Sequence, residues 1–316
     1  MKSSKTNINS YVIGVDGGGT KTAVALADLN GKILARSVSA GSNLRDSGIK
    51  VAARNVARGI SEVSKGRKGA RVVSTFIGLP AVEEEYKDKK GKVMSELKKD
   101  KKIARIFSGK VIIGSDQLVA FRSGSLAKNG IVAISGTGCA VHGWNNGKEF
   151  LTNNWGWLVS KGSGNWIGLK TAQAIVDHFE EGTERSLLSG IVFKKMGLGG
   201  INDLLTFIYK DPAGNLPKLS EYCNEAADKG DLIARAILEK AGREIAISVC
   251  AVASKLDLLE KVPLVLVGGA YRSRWMLNAV KKDVELCHSG KFEFILPKDP
   301  VEGAIRLALE NAENNS

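Results

Sequence analysis

Asp16-Gly17-Gly18-Gly19-Thr20-Lys21-Thr22 is the segment whose residue types most directly suggest chemistry. Three successive glycines let backbone N–H groups gather around an anion with no Cβ in the way. Thr20, Lys21 and Thr22 add side-chain donors, and Asp16 could hold Mg²⁺ through water. The pattern is not a P-loop, which needs Lys directly after its last Gly and then a helix. Here Thr20 intervenes and a strand pattern follows. It is not G-x-G-x-x-G either, because Thr22 occupies the last place. A bare glycine-rich hairpin turn is the competing reading. Ser135-Gly136-Thr137-Gly138 has a similar make-up, and two such turns facing one another across a cleft would suit the two ends of a polyphosphate.

Two further sites complete the candidate set. Asp116 follows the apolar run 111–114 and precedes a helix pattern. It reads either as a helix N-cap or as a general base accepting a hydroxyl proton during phosphoryl transfer. Gly268-Gly269 lies between a buried strand pattern and a helix. That position allows close approach of a flat ligand such as adenine, or simply tight strand–helix packing.

The elements that must position these residues read as a duplication. The first copy has short apolar runs at 11–15, 23–27 and 33–38, with the glycine turn after the first and Asn30-Gly31 before the last. The second has runs at 131–134, 139–144 and 149–151, with Ser135–Gly138 and Asn146-Gly147 in the matching turns. Strand, glycine turn, strand, Asn-Gly hairpin, strand in the same order twice predicts duplicated α/β domains. Between the copies, 51–64 reads as a helix, 71–77 and 110–114 as strands, and 83–105 as a charged amphipathic helix. After the second copy, helix patterns cover 168–179, 202–209, 219–227, 231–259, 273–281 and 300–311, and strands 263–267 and 292–296. Domains are expected over 1–115, completed by a C-terminal helix in 299–316, and over 116–298.

Composition sets the outer limits. The chain has 316 residues, 43% hydrophobic and 25% charged, which is enough for two cores. A net charge of +13 favours an anionic partner without naming one. Cys139, Cys223, Cys250 and Cys287 show no C-x-x-C pair, which argues against zinc or a disulfide framework and suits a reducing compartment. His142, His178 and His288 form no ligand-spaced cluster. No targeting signal or membrane-length apolar run is present, so a cytoplasmic location is expected. No helix-turn-helix, aromatic stacking run or basic tail points to nucleic acid.

Asp16–Thr22, Ser115-Asp116, Ile134–Gly138, Trp155-Gly156-Trp157, 162–168 and Val267–Gly269 occur in one order. Together they resemble the BadF/BadG/BcrA/BcrD-type ATPases, which include N-acetylglucosamine kinases and related archaeal sugar kinases, over about 11–309. The resemblance implies two RNase H-like (actin/hexokinase-like) domains with an interdomain ATP cleft, and ATP and Mg²⁺ as cofactors. It places phosphates at Gly17, Gly18, Gly19, Thr20, Lys21, Thr22, Ser135, Gly136, Thr137 and Gly138, and adenosine at Gly268 and Gly269. Asp16 becomes the metal residue and Asp116 the base. Asn43, Asp116, Thr137, Trp155 and Gly156 become the sugar contacts.

One departure stands out. The family reads W-G-x-x-x-G-D-E-G-S, whereas this chain reads Trp155-Gly-Trp-Leu-Val-Ser-Lys161-Gly-Ser163, one residue shorter and without either acid. Loss of carboxylates and gain of Lys161 predict an acidic sugar such as 2-keto-3-deoxygluconate. N-Acetylglucosamine or glucose is the alternative substrate. An ATPase that activates a partner through an iron–sulfur cluster, or a non-enzymatic sugar or nucleotide sensor, keeps the fold and changes the role. The expected partners are a small sugar or sugar acid and a second copy of the chain, with no nucleic acid and no membrane.

Overall fold

The computed structural model describes residues 10–67, 71–82, 88–182 and 186–313. Two compact units emerge, one running to Leu126 and resuming at Pro297, the other spanning Ala127–Leu296. Each holds a five-stranded mixed sheet.

In the first unit, β1 (Ser10–Gly17), β2 (Lys21–Asp28) and β3 (Ile33–Ala40) form an antiparallel meander. β4 (Arg71–Leu79) and β5 (Lys110–Ser115) extend it in parallel, giving the order β3-β2-β1-β4-β5. β1 is apolar on both faces because both are covered. Ile13 and Val15 face α1 (Gly48–Val63), α2 (Lys89–Lys99) and α3 (Lys101–Ile106), packing with Val56, Ile60, Leu97 and Ile103. Val12 faces α4 (Asp116–Gly124) and, at the far end of the sequence, α11 (Val301–Glu313), packing with Val119, Ala304 and Ile305. The single charged helix expected over 83–105 divides at Asp100, whose carboxylate accepts from the amides of Lys102 and Ile103 and so starts α3. Residues 83–87 lie outside the described residues.

The second unit repeats the plan. β6 (Gly130–Ser135), β7 (Cys139–Asn145) and β8 (Lys148–Thr152) form the meander, and β9 (Val262–Val267) and β10 (Phe292–Ile295) add in parallel. The order β10-β9-β6-β7-β8 is that of the first sheet read from its other edge. Helices α5 (Gly164–Glu180), α6 (Leu187–Met196), α7 (Ile201–Lys210), α8 (Pro212–Asp228), α9 (Leu232–Lys255) and α10 (Arg274–Cys287) complete it around one apolar core. Helix α6 has no counterpart in the sequence reading.

Two expectations change. The break falls after Leu126, not after Ser115, because α4 belongs with α11. A Cβ at Gly303 would lie 2.0 Å from the Val119 carbonyl oxygen, and Arg306 donates to the carbonyls of Arg122 and Ser123. The four cysteines are not all free either. Cys250 on α9 is bonded to Cys287 on α10, their Cα atoms 6.4 Å apart, because those helices pack side by side. Cys139 and Cys223 remain buried thiols.

Candidate functional site

The first unit gathers carboxylates at the carboxyl ends of its parallel strands. Asp16 on β1 is in register with Gly78 on β4, and Gly78 with Gly114 on β5. Asp116 opens α4, the helix on the face that Asp16 uses, and lies close enough for the Asp16 charge to act on its carboxyl. The cap of α4 is Ser115, whose hydroxyl accepts from the Leu118 amide at 3.2 Å. Asp116 is therefore not the capping residue. Its Oδ1 is buried and has no hydrogen-bond partner among the described residues. Such an atom calls for an explanation, and an absent ligand is one.

The electrostatics agree with that geometry. Burial first and the Asp16 charge second raise the Asp116 carboxyl, the Asp116 and Gln117 amides oppose the rise, and the result is about 7. Burial likewise pushes Asp16 up to about 7, with Lys21 lowering it and Asp299 raising it. Asp299 is a residue that the sequence reading missed. It lies just ahead of α11 and pairs with Arg36. Its only signal in sequence is the Asp-Pro that opens the last helix.

The glycine turn between β1 and β2 sorts into fold residues and exposed residues. A Cβ at Gly17 would lie 2.6 Å from the Ser42 hydroxyl and 2.7 Å from the Gly78 carbonyl. Thr22 is buried, its hydroxyl 2.8 Å from both the Ala40 carbonyl and the Ser42 hydroxyl. Thr22 thus serves the fold, contrary to its expected place among the phosphate donors. Gly19, Thr20 and Lys21 are exposed. The 41–43 segment crosses this turn, the Ser42 amide donating to the Gly18 carbonyl. The Asn43 side-chain oxygen accepts from the Arg45 amide, which leaves its NH₂ to donate.

The second unit closes its own turn in a different way. The buried Ser135 hydroxyl donates to the Gly162 carbonyl at 2.7 Å. The Gly164 amide donates to the Gly136 carbonyl at 2.7 Å, and the Asn165 side chain to the Thr137 carbonyl at 2.9 Å. Gly268 packs on the same turn, with φ at 126° and an imagined Cβ 2.1 Å from the Ser135 carbonyl. Ser135–Gly138, the start of α5 and Gly268-Gly269 are therefore brought together. Asn165 is a second residue absent from the sequence-based set. It is buried, and its Oδ1 has no partner among the described residues.

Residues 153–161 form a self-closed loop. Ser160 bonds to the Asn153 carbonyl and the Trp155 amide, and Asn153 exchanges hydrogen bonds with the Lys161 backbone. Trp155, Leu158 and Val159 are exposed at its tip. The Lys161 ammonium lies 3.6 Å from the Glu244 carboxylate of α9, so its charge is matched within its own unit.

These residues suit a divalent cation held together with phosphate. Among the described residues no group of three or more His, Cys, Asp or Glu could hold a metal ion. Mg²⁺ seldom needs such a cage, since one or two carboxylates plus substrate phosphates and water suffice. Asp16, together with phosphate oxygens and water, offers that donor set.

Residues 13–308 match the BadF/BadG/BcrA/BcrD ATPase family. The chain is 28% identical over 306 residues to an N-acetylmuramic acid/N-acetylglucosamine kinase of Clostridium acetobutylicum, covering 94% of this chain and 98% of that protein. It is 29% identical over 324 residues to an N-acetyl-D-glucosamine kinase of Dictyostelium discoideum, covering 95% and 98%. Its fold is similar to the crystal structure of a candidate N-acetylglucosamine kinase from Chromobacterium violaceum, with a TM-score of 0.71, 22% identity and coverage of 95% and 98%.

Proposed function

Because the chain belongs to the BadF/BadG/BcrA/BcrD ATPase family, we propose that it is an ATP-dependent kinase for a hydroxyl of an N-acetylated amino sugar. The observation that carries this reading is the Asp116 carboxylate, spared from capping by Ser115 and holding one buried oxygen without a partner. A group titrating near 7 is matched to general-base work at neutral pH. Asp116 takes the proton of the sugar hydroxyl as its oxygen bonds to the γ-phosphorus and the bond to the ADP oxygen breaks. Asn43 donates to the sugar. Exposed Gly19, Thr20 and Lys21 in the first unit, and Ser135–Gly138 in the second, meet phosphate oxygens. Gly268 and Gly269 give adenosine room. Asp16 would hold Mg²⁺, which when bound would supply positive charge against the phosphates.

The substrate preference follows from Lys161 and the relatives. The acidic-sugar reading needs a cation free to meet a carboxylate, and Glu244 already faces Lys161. Two curated relatives named for N-acetylglucosamine, one also for N-acetylmuramic acid, support the amino-sugar alternative over 2-keto-3-deoxygluconate. ADP release should be measured with N-acetylglucosamine, N-acetylmuramic acid, glucose and 2-keto-3-deoxygluconate. The N-acetylated sugars should give the highest kcat/KM. A clear preference for the keto acid would reinstate the acidic-sugar reading, and turnover of none would remove the kinase assignment.

A further inference from the structure

The net positive charge of this protein is concentrated in two segments of the first unit that the proposed chemistry does not use. Residues 48–67 and 88–110 carry fourteen Lys and Arg against four Asp and Glu, ten of the chain's net +13. They belong to α1, α2, α3 and their flanks, on the sheet face opposite the one that holds α4 and α11. Asp16 uses the α4–α11 face and Asp116 opens α4, so this excess does not serve them. A groove of about 740 Å³ runs along α1, lined by Lys50, Arg54, Arg58 and Lys65 on one side and by Lys99 and Lys102 on the other. Glu62 and Glu96 in the groove are matched by Lys65 and Lys99. Lys50, Arg54, Arg58 and Lys102 are exposed and join no ion pair among the described residues.

We propose that this face binds the phosphate backbone of duplex nucleic acid without reading its sequence. Lys50, Arg54 and Arg58 recur every four residues, about 6 Å apart along the helix, and so present a line of cations to a line of phosphates. The chemistry of the face favours a duplex over two other anionic surfaces. A membrane surface is held by cations together with inserted apolar side chains, and no large exposed hydrophobic residue lies in 48–67 or 88–110 among the described residues. Single strands are held by stacking on aromatic rings, and the one aromatic residue in these segments, Phe107, packs into the core. The missing helix-turn-helix and aromatic run argue against base recognition. They say nothing against a helix face that meets phosphates alone.

The test uses the full chain and a ~20-bp duplex of arbitrary sequence, with affinity measured by fluorescence anisotropy between ~50 and ~200 mM salt. Binding should weaken steeply with salt and be indifferent to sequence. The triple variant Arg54→Glu/Arg58→Glu/Lys102→Glu should lose at least about tenfold in affinity and flatten the log–log salt slope by about 3, one per lost phosphate contact. Its sugar-kinase kcat/KM should stay at the parent value, which also shows that it folds. A control with the same net charge, Lys194→Glu/Lys255→Glu/Lys282→Glu in the second unit, should bind nearly as well as the parent. Equal losses in the two triple variants would reduce the effect to net charge and overturn the proposal. So would undetectable duplex binding at low salt, or binding to phosphatidylserine vesicles in its place.

Discussion

At the scale of single residues, the proposed chemistry turns on Asp116. Asp116→Asn keeps the side chain's size and removes the proton acceptor. It should lower kcat by at least about 10²-fold while leaving the KM for ATP within about twofold. In the parent, kcat/KM should rise with pH through a midpoint near 7, the value to which burial and Asp16 push the Asp116 carboxyl, and this limb should vanish in the variant. A pH-independent parent would deny Asp116 that role. Stability supplies a readout free of turnover. The folded carboxyl binds its proton up to about pH 7, whereas the unfolded one releases it near the ordinary value of 3.8. The native state therefore holds more protons across that interval, and stability must fall as pH rises through it. Asp116→Asn should accordingly gain in melting temperature relative to the parent as pH goes from about 5 to about 8. A constant difference across that range would show that the carboxyl is not held protonated by the fold.

At the scale of elements, the two glycine turns do different work at different positions. Gly268 is required by the fold, since its φ is 126° and a Cβ would strike the Ser135 carbonyl. Gly268→Ala should cost about 1–3 kcal/mol of stability and displace the Ser135–Gly138 turn with it. At Gly136 a Cβ would meet nothing within 4 Å. Gly136→Ala should therefore leave the melting temperature unchanged yet raise the KM for ATP several-fold, if that space is kept for phosphate. An unchanged KM would show that the turn is merely a hairpin. Much of this frame was legible in the sequence. Buried strands announce themselves as short apolar runs between turn residues, and the duplicated meander announced two like sheets. Pairwise relations were less legible. Ser115 and Asp116 are both good caps by type, and only the 3.2 Å bond to Leu118 separates them. Thr22 looks like a ligand donor until β3 is seen to bury it, and Lys161 looks free until α9 supplies Glu244. Helix α6 has its apolar residues spread around the helix, so no amphipathic period marks it, whereas α7, equally long, has a clear apolar face. Asp299 and Asn165 acquire meaning only from neighbours distant in sequence.

At the scale of the whole molecule, the least expected feature is the covalent tie between α9 and α10. Cysteine spacing could not announce it, because Cys250 and Cys287 are separated by 37 residues and meet only through helix packing. The tie spans β9, the Gly268-Gly269 bend and α10 in sequence, so it encloses the strand end assigned to adenosine. Closing a loop of that length restricts the unfolded chain by roughly 4 kcal/mol on the chain-entropy view. The two helices also pack without it, a Cβ at Gly242 being 2.5 Å from the Met276 carbonyl. Loss of the bond should therefore weaken the fold and not dissolve it. Cys250→Ser/Cys287→Ser, or dithiothreitol acting on the exposed Cys287 end, should lower urea stability by about 2–4 kcal/mol. The kcat at low temperature should stay close to the parent value, since neither sulfur adjoins Asp116 or the glycine turns in the chain. Reductant added to the double variant should change nothing further. Equal urea midpoints for parent and double variant would mean that the bond restrains nothing the packing has not already fixed.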